Sequence, residues 1–182
     1  MSVDPSKLTA ASGLKLDPAF RSDVAIADFR DAMASLAATA CLVTARDDER
    51  RLGRTVTAAF SLSAEPPAIM VSIDRRAALA DAIRRRRGFS FALMSTAQRD
   101  VADAFAGKVP AEGRFEHGEW QDWPSGHPRL GGAVAAMDCA VIGEIELGGH
   151  VLFVGGLREI ALNREAMPLV WHHRQYNAIH PL

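Results

Sequence analysis

Short apolar-rich runs bounded by turn residues recur along this chain, one of them alternating with a period of two, and such runs predict strands. The run ACLVTAR (40–46) reads as a strand, and the polar stretch DDERRLG after it as a turn closed by Gly53. RTVTAAFSLS (54–63) reads as one extended segment, with Thr55, Thr57, Ala59 and Ser61 on one face and Val56, Ala58, Phe60 and Leu62 on the other. Pro66 and Pro67 end it, because proline cannot continue a ladder. AIMVSID (68–74) and FSFALM (89–94) are further strands. The last third holds two long extended runs, AVAAMDCAVIGEIEL and HVLFVGGLREIAL, joined by Gly148-Gly149, a two-residue hairpin signal.

Helical spacing occurs in three places. Asp28 offers an N-cap for DFRDAMASLA, with Phe29, Met33, Leu36 and Ala37 on one face. AALADAIRRRRG (77–88) is a second helix, with Gly88 as its stop. Ser95 and Gln98 form a capping box for the third, QRDVADAFAG. Residues 108–129 read as loop. Strands outnumber helices and follow no regular βαβ rhythm. The expected fold is mainly β, a Greek-key split barrel with a few decorating helices. Residues 1–25 are expected to be a flexible arm that could wrap a partner, and 26–182 one barrel domain.

Composition narrows the function. The 182 residues carry a net charge of −1, 48 % apolar and 24 % charged side chains, so no global basic field is available for nucleic acid. No apolar run approaches the ~20 residues a membrane helix needs. The N-terminus lacks the basic start and apolar core of a secretory signal, so the cytoplasm is the expected location. Cys41 and Cys139 sit among apolar residues and read as buried thiols; no Cys/His spacing suggests a metal site. There is no G-x-G-x-x-G after a strand and no phosphate-binding loop of the G-x-x-x-x-G-K type. A nucleotide would have to be held another way.

Four segments could carry chemistry. Gly53-Arg-Thr-Val-Thr-Ala-Ala places small side chains on a strand, where a flat ligand could lie against the backbone and bond to N–H and hydroxyl groups. Ser72-Ile-Asp-Arg-Arg-Ala sits at a strand-to-helix junction, where free N–H groups and the charges of Arg75 and Arg76 suit a phosphate, or where Asp74 simply caps a solvated turn. The Arg84 to Arg87 cluster reads as a solvated face. His150 stands at the hairpin tip, either over a site or as an ordinary turn residue. Trp171-His-His-Arg-Gln-Tyr is either an anion or ring contact or a tail that closes the barrel. No Ser/His/Asp order or paired carboxylates suggest a hydrolase.

Taken in order, FRDAMASLA, GRTVTAAFSLSAEPPAIMVSI, FAG followed by GRF, GAVAAMDCAV, GGHVLF and PLVWHHRQY resemble the short-chain flavin reductase family. These are the reductase components of two-component flavin-dependent monooxygenases, and the likeness is nearest to 4-hydroxyphenylacetate, chlorophenol and cobalamin-related reductases. The resemblance implies a split barrel, a homodimer, and hydride transfer from NADH or NADPH to FMN or FAD, with reduced flavin passed to a separate monooxygenase. It implies that Thr55, Val56, Thr57 and Ala58 lie along the isoalloxazine. Ser72, Ile73, Asp74, Arg76 and Ala77 would handle the ribityl and phosphate end, and Phe105, Ala106 and Gly107 would close over it. His150 would stand beside both rings as the catalytic residue, with Arg174 in the same site. Ala77 departs from the serine common at that position. A corrinoid or other acceptor on the same fold, and a flavin- or haem-binding module without turnover, remain alternatives.

Overall fold

The computed structural model describes Ala19 and residues 21–180. Residues 1–18 and 20 of the expected arm (1–25) lie outside the described residues. In chain order the strands are β1 (Ala38–Thr39), β2 (Cys41–Arg46), β3 (Arg51–Val56), β4 (Ala59–Ala64), β5 (Pro67–Asp74) and β6 (Gly88–Leu93). After them come β7 (Trp120–Asp122), β8 (Pro128–Leu130), β9 (Ala135–Leu147), β10 (His150–Leu162), β11 (Val170–His172) and β12 (Gln175–Asn177). The helices are α1 (Ile26–Ala34), α2 (Ala78–Arg86) and α3 (Arg99–Asp103).

Seven strands form one antiparallel sheet in the order β3-β2-β6-β9-β10-β5-β4. β3 and β4 occupy opposite edges, yet only Thr57 and Ala58 separate them in the chain. Three residue steps span at most roughly 11 Å, whereas the edges of a flat seven-stranded sheet lie roughly 29 Å apart. The sheet must therefore curl until its edges meet, and because no ladder joins β3 to β4 the barrel is split there. This is the expected fold. It also corrects the reading of residues 54–63 as one strand. The alternation breaks at Thr57 and Ala58, so that Val56 and Ala59 both pack on the core while Phe60 and Leu62 are exposed.

Two apolar clusters flank the sheet. Val43, Val71, Phe89, Phe91, Val151 and Phe153 fill the barrel, and α2 plugs it with Leu79 and Ile83. Leu42, Met94, Val101, Phe105, Trp123 and Leu130 pack on the outer face. With both faces covered, Cys41 through Ala45 are all buried, which is why that run shows no polar alternation. β9 and β10 pair from Leu147 and His150 down to Ala135 and Leu162, as the Gly-Gly turn predicts.

Several local expectations change. Ala25, not Asp28, is the N-cap of α1; Asp28 lies in the first turn, where its charge suits the helix dipole. No residue of α1 is buried, and Phe29, Met33 and Leu36 of the predicted apolar face are exposed. The left-handed residue ending α2 is Arg87, at φ 52°. Gly88 already belongs to β6, where a Cβ would stand 2.8 Å from His127 Nε2 and 2.9 Å from the Cys139 carbonyl, so close packing selects the glycine. Residues 108–129 are not all loop: they contain a 3-10 turn, Ala111–Glu116, and the strand β7, which pairs with β8. The capping box is present, with Ser95 N–H donating to Gln98 Oε1 at 3.0 Å. Cys41 and Cys139 are buried free thiols, both pushed up to about 12 by burial.

Candidate functional site

Where the split barrel opens, a cleft of about 600 Å3 lies between two walls. The crossing segment supplies one wall, with Thr55, Val56, Thr57 and Ala58. The end of β5 and the turn into α2 supply the other, with Ser72, Ile73, Asp74, Arg76 and Ala77. His150, the first residue of β10, stands at the rim. Ten residues expected at the flavin thus converge, although up to 95 positions separate Thr55 from His150. Arg54 also lines the cleft. Sequence reading placed it on the extended segment but assigned it no role; the signal was its place next to Thr55 on the strand.

The donor set decides what the cleft can hold. The hydroxyls of Thr57 and Ser72, and the N–H groups of Thr57 and Ala58, have no partner among the described residues. They are free to meet the polar edge of a flat ring. Thr55 is not: its hydroxyl donates to the Ala102 carbonyl at 2.8 Å and ties β3 to α3. Ser72 N–H donates to the Ala58 carbonyl at 3.0 Å, which fixes the distance between the two walls. The side chains of Thr57 and Ala58 are small and exposed, so a planar group can lie along the backbone.

Asp74 shapes the far end. Its Oδ1 accepts the Arg76 N–H at 2.8 Å, and the Arg76 guanidinium folds back onto it at 3.4 Å. The Arg76 amide and guanidinium, with a smaller contribution from His150, hold the Asp74 carboxyl below its ordinary range. Asp74 therefore acts as a turn-maker, while Arg76 is 86 % exposed and can swing to an anion. Arg75 N–H donates to the Gly149 carbonyl at 2.9 Å, and His150 pairs with Asp74 in the sheet, so the hairpin tip is pinned to this turn. Ala77 is the N-cap of α2 and provides no side-chain cap. The first amides of the helix are thus left for an anion to satisfy. Small walls, free donors on one side and a cationic turn on the other fit a flavin mononucleotide unit.

Four expected residues lie elsewhere. Phe105 is fully buried in the outer cluster, its ring 4.9 Å from Phe115 and 5.6 Å from Trp120, so it packs β3 rather than lining the cleft. Ala106 faces a shallow recess beside Thr55, Val56 and Thr57, next to Trp171 and Tyr176. Gly107 is exposed at φ 107° on the following turn. Arg174 sits in the β11–β12 turn and pairs with Asp31 of α1 at 2.6 Å; within one chain it does not reach the cleft. The tail instead docks through β1, β11 and β12 as a small sheet. The Arg84 to Arg87 cluster is a paired surface: Arg84 bonds Glu144 and Glu146, and Arg86 bonds Asp48.

The barrel and its cleft place the chain among flavin-binding β-barrel proteins. The flavin reductase like domain matches residues 33–180, and the chain belongs to that family. It is 35 % identical over 156 residues to the reductase component of an FADH(2)-dependent resorcinol hydroxylase from Rhizobium sp. (strain MTP-10005), covering 85 % of this chain and 87 % of that one. It is 31 % identical over 153 residues to the FMN reductase (NADH) RutF of Escherichia coli O6:K15:H31 (strain 536 / UPEC), covering 83 % and 92 %. Among solved structures, BorF, the flavin reductase component of a bacterial two-component tryptophan halogenase, matches at a TM-score of 0.77 and 25 % identity over 86 % of this chain and 99 % of that one.

Proposed function

We propose that this chain is an NADH-dependent flavin reductase that passes reduced flavin to a separate monooxygenase. One observation carries the reading: free donors at Thr57, Ala58 and Ser72, an uncapped helix start at Ala77 and an exposed His150 share one cleft. The bound flavin and nicotinamide supply the hydride chemistry. The chain orients. The amides of Thr57 and Ala58 and the Thr57 hydroxyl hold the ring edge, where donors favour the charge gained on reduction. Arg76 and the first turn of α2 take the phosphate. His150, fixed by the hairpin and the Arg75 to Gly149 bond, stands over the open face and positions the nicotinamide. No side chain need act as a strong acid or base.

The same reading takes residues 26–182 as the flavin domain, residues 1–25 as an arm, and the assembly as a homodimer. The exposed Phe29 and Met33 of α1 and Leu36 just after it, with Phe60 and Leu62 of β4, support coverage by a second copy. Two reduced thiols suit the cytoplasm; among the described residues no helix is long and apolar enough to cross a membrane.

The test is NADH oxidation by the purified protein in air, with and without added FMN or FAD. Flavin-dependent turnover is expected; its absence with both flavins removes the reading. Light scattering is expected to give about twice the 19.6 kDa chain mass, and a monomer at micromolar concentration removes the dimer.

A further inference from the structure

The cleft does not end at its phosphate side. Arg54 and Ala77 line a second cavity as well, of about 440 Å3, walled by β3, the first turn of α2 and the 3-10 turn Ala111–Glu116. The two cavities share those residues and form one trough. A flavin lying along Thr57 and Ala58 would bring its phosphate to the junction, leaving the second lobe empty beyond it.

That lobe is built for an anion attached to a flat base. Arg50 on its wall is already paired with Asp47 at 3.0 Å. Arg51, Arg54 and Arg114 have no carboxylate partner among the described residues. Arg114 spends only its Nε, on the Val109 carbonyl at 3.1 Å, and keeps its terminal nitrogens. Three guanidinium groups around one small cavity repel one another until an anion enters, and their planar forks match phosphate oxygens. Arg51 lies over the Phe115 ring, 4.5 Å from its centroid, and together they give a planar surface suited to a heteroaromatic base. Glu112 is the single carboxylate on the wall, an acceptor for ribose hydroxyls.

We infer that the second lobe holds the adenylate half of a flavin dinucleotide, which makes FAD the preferred flavin of this chain. The inference rests on the flavin-reductase reading above. NADH carries the same adenosine diphosphate chemistry. The flavin is the assigned source because the lobe continues from the phosphate end of the flavin wall and not from the open face beside His150.

Calorimetric titration of the full-length chain with FMN and with FAD tests this. Wild type is expected to bind FAD at least about tenfold more tightly than FMN. The double variant R51Q/R114Q removes two phosphate contacts from exposed or half-buried positions. It is expected to lower the FAD-to-FMN affinity ratio about tenfold or more. A second variant, Ala111→Glu, puts an anion in the lobe at the exposed start of the 3-10 turn, away from the helix start that takes the flavin phosphate, and it is expected to lower the same ratio. The two flavins binding wild type equally, or weakening in parallel in both variants, overturns the inference. So does an unchanged ratio accompanied by a raised KM for NADH with FMN as acceptor, which assigns the lobe to the nicotinamide dinucleotide. Failure of wild type to bind either flavin overturns the flavin reading itself.

Discussion

Gly53 and Phe105 provide a stringent test, because one residue stands in the strand that forms the cleft wall and the other directly beneath it. A Cβ at Gly53 would sit 2.6 Å from Phe105 Cε1, 2.8 Å from Cδ1 and 3.0 Å from Thr44 Cγ2. Carbon atoms rest at roughly 3.5–4.0 Å, so Gly53→Ala asks the ring to retreat by about 1 Å. The ring is fully buried and flanked by Phe115 and Trp120, so it has little room to move. Overpacking of this kind costs about 1–3 kcal/mol, and the flanking rings place the cost in the upper half of that range. For a chain of this length the melting temperature should fall by roughly 4–12 °C. Phe105→Leu removes the ring edge and leaves a cavity of its own, at less than the ~3–5 kcal/mol of full truncation to alanine. In the double variant the added methyl occupies the vacated space, so the two costs should not add; a coupling of roughly 0.5–3 kcal/mol is expected from a denaturant-unfolding double-mutant cycle. Flavin affinity of Phe105→Leu, measured well below its melting temperature, should stay near wild type. Additive costs within about 0.5 kcal/mol refute the packing argument, and a large loss of flavin affinity returns Phe105 to the ligand site that the family resemblance implies.

Three further outcomes are expected. Replacing the exposed His150 by Ala should change stability by no more than ~0.5 kcal/mol while lowering kcat/KM for NADH by roughly ten- to a hundredfold, about 1.4–2.7 kcal/mol; wild-type kinetics in a stable variant would retire its positioning role. Ala58→Phe fills the space along the crossing segment and should weaken flavin binding by about ten- to a hundredfold with the fold intact; unchanged affinity by titration would move the flavin elsewhere. His127 is 2 % exposed, accepts the Arg46 N–H at Nδ1, and is held below its usual 6.5 chiefly by burial. Its folded pKa is thus the lower one and the unfolded chain binds the extra proton, so this contribution is fully present above pH 6.5 and is lost as pH falls toward the folded value. Melting temperatures between about pH 7 and pH 5 should fall in wild type and fall less in His127→Asn; parallel curves would clear His127 of that role.

The elements readable from sequence are those whose period and punctuation agree. The β9–β10 hairpin has alternation on both sides and two glycines between, and β5 has a proline before it and a helix start after it. The features that sequence hid are set by what another part of the chain does. In sequence, residues 54–63 read as one period-two run because each half is a strand; only the fold shows the break at Thr57 and Ala58 and puts the halves on opposite edges of the sheet. Gly88 reads as a helix stop because glycine usually is one, but the packing of His127 and Cys139 requires it, and Arg87 takes the left-handed turn. Phe29 and Met33 share one face of α1 as the spacing predicts, yet among the described residues none covers that face. The same reasoning explains the site. Thr55 and Thr57 look equivalent in sequence, but folding commits the Thr55 hydroxyl to Ala102 and leaves that of Thr57 free. Sequence locates the wall of the cleft; only the hydrogen-bond accounting of the folded chain separates the groups that hold the barrel from the groups left over to hold a ligand. Thr57, Ala58 and Ser72 belong to the second kind, and their meeting opposite an uncapped helix start is what makes this opening a binding site and not merely a gap between strand edges.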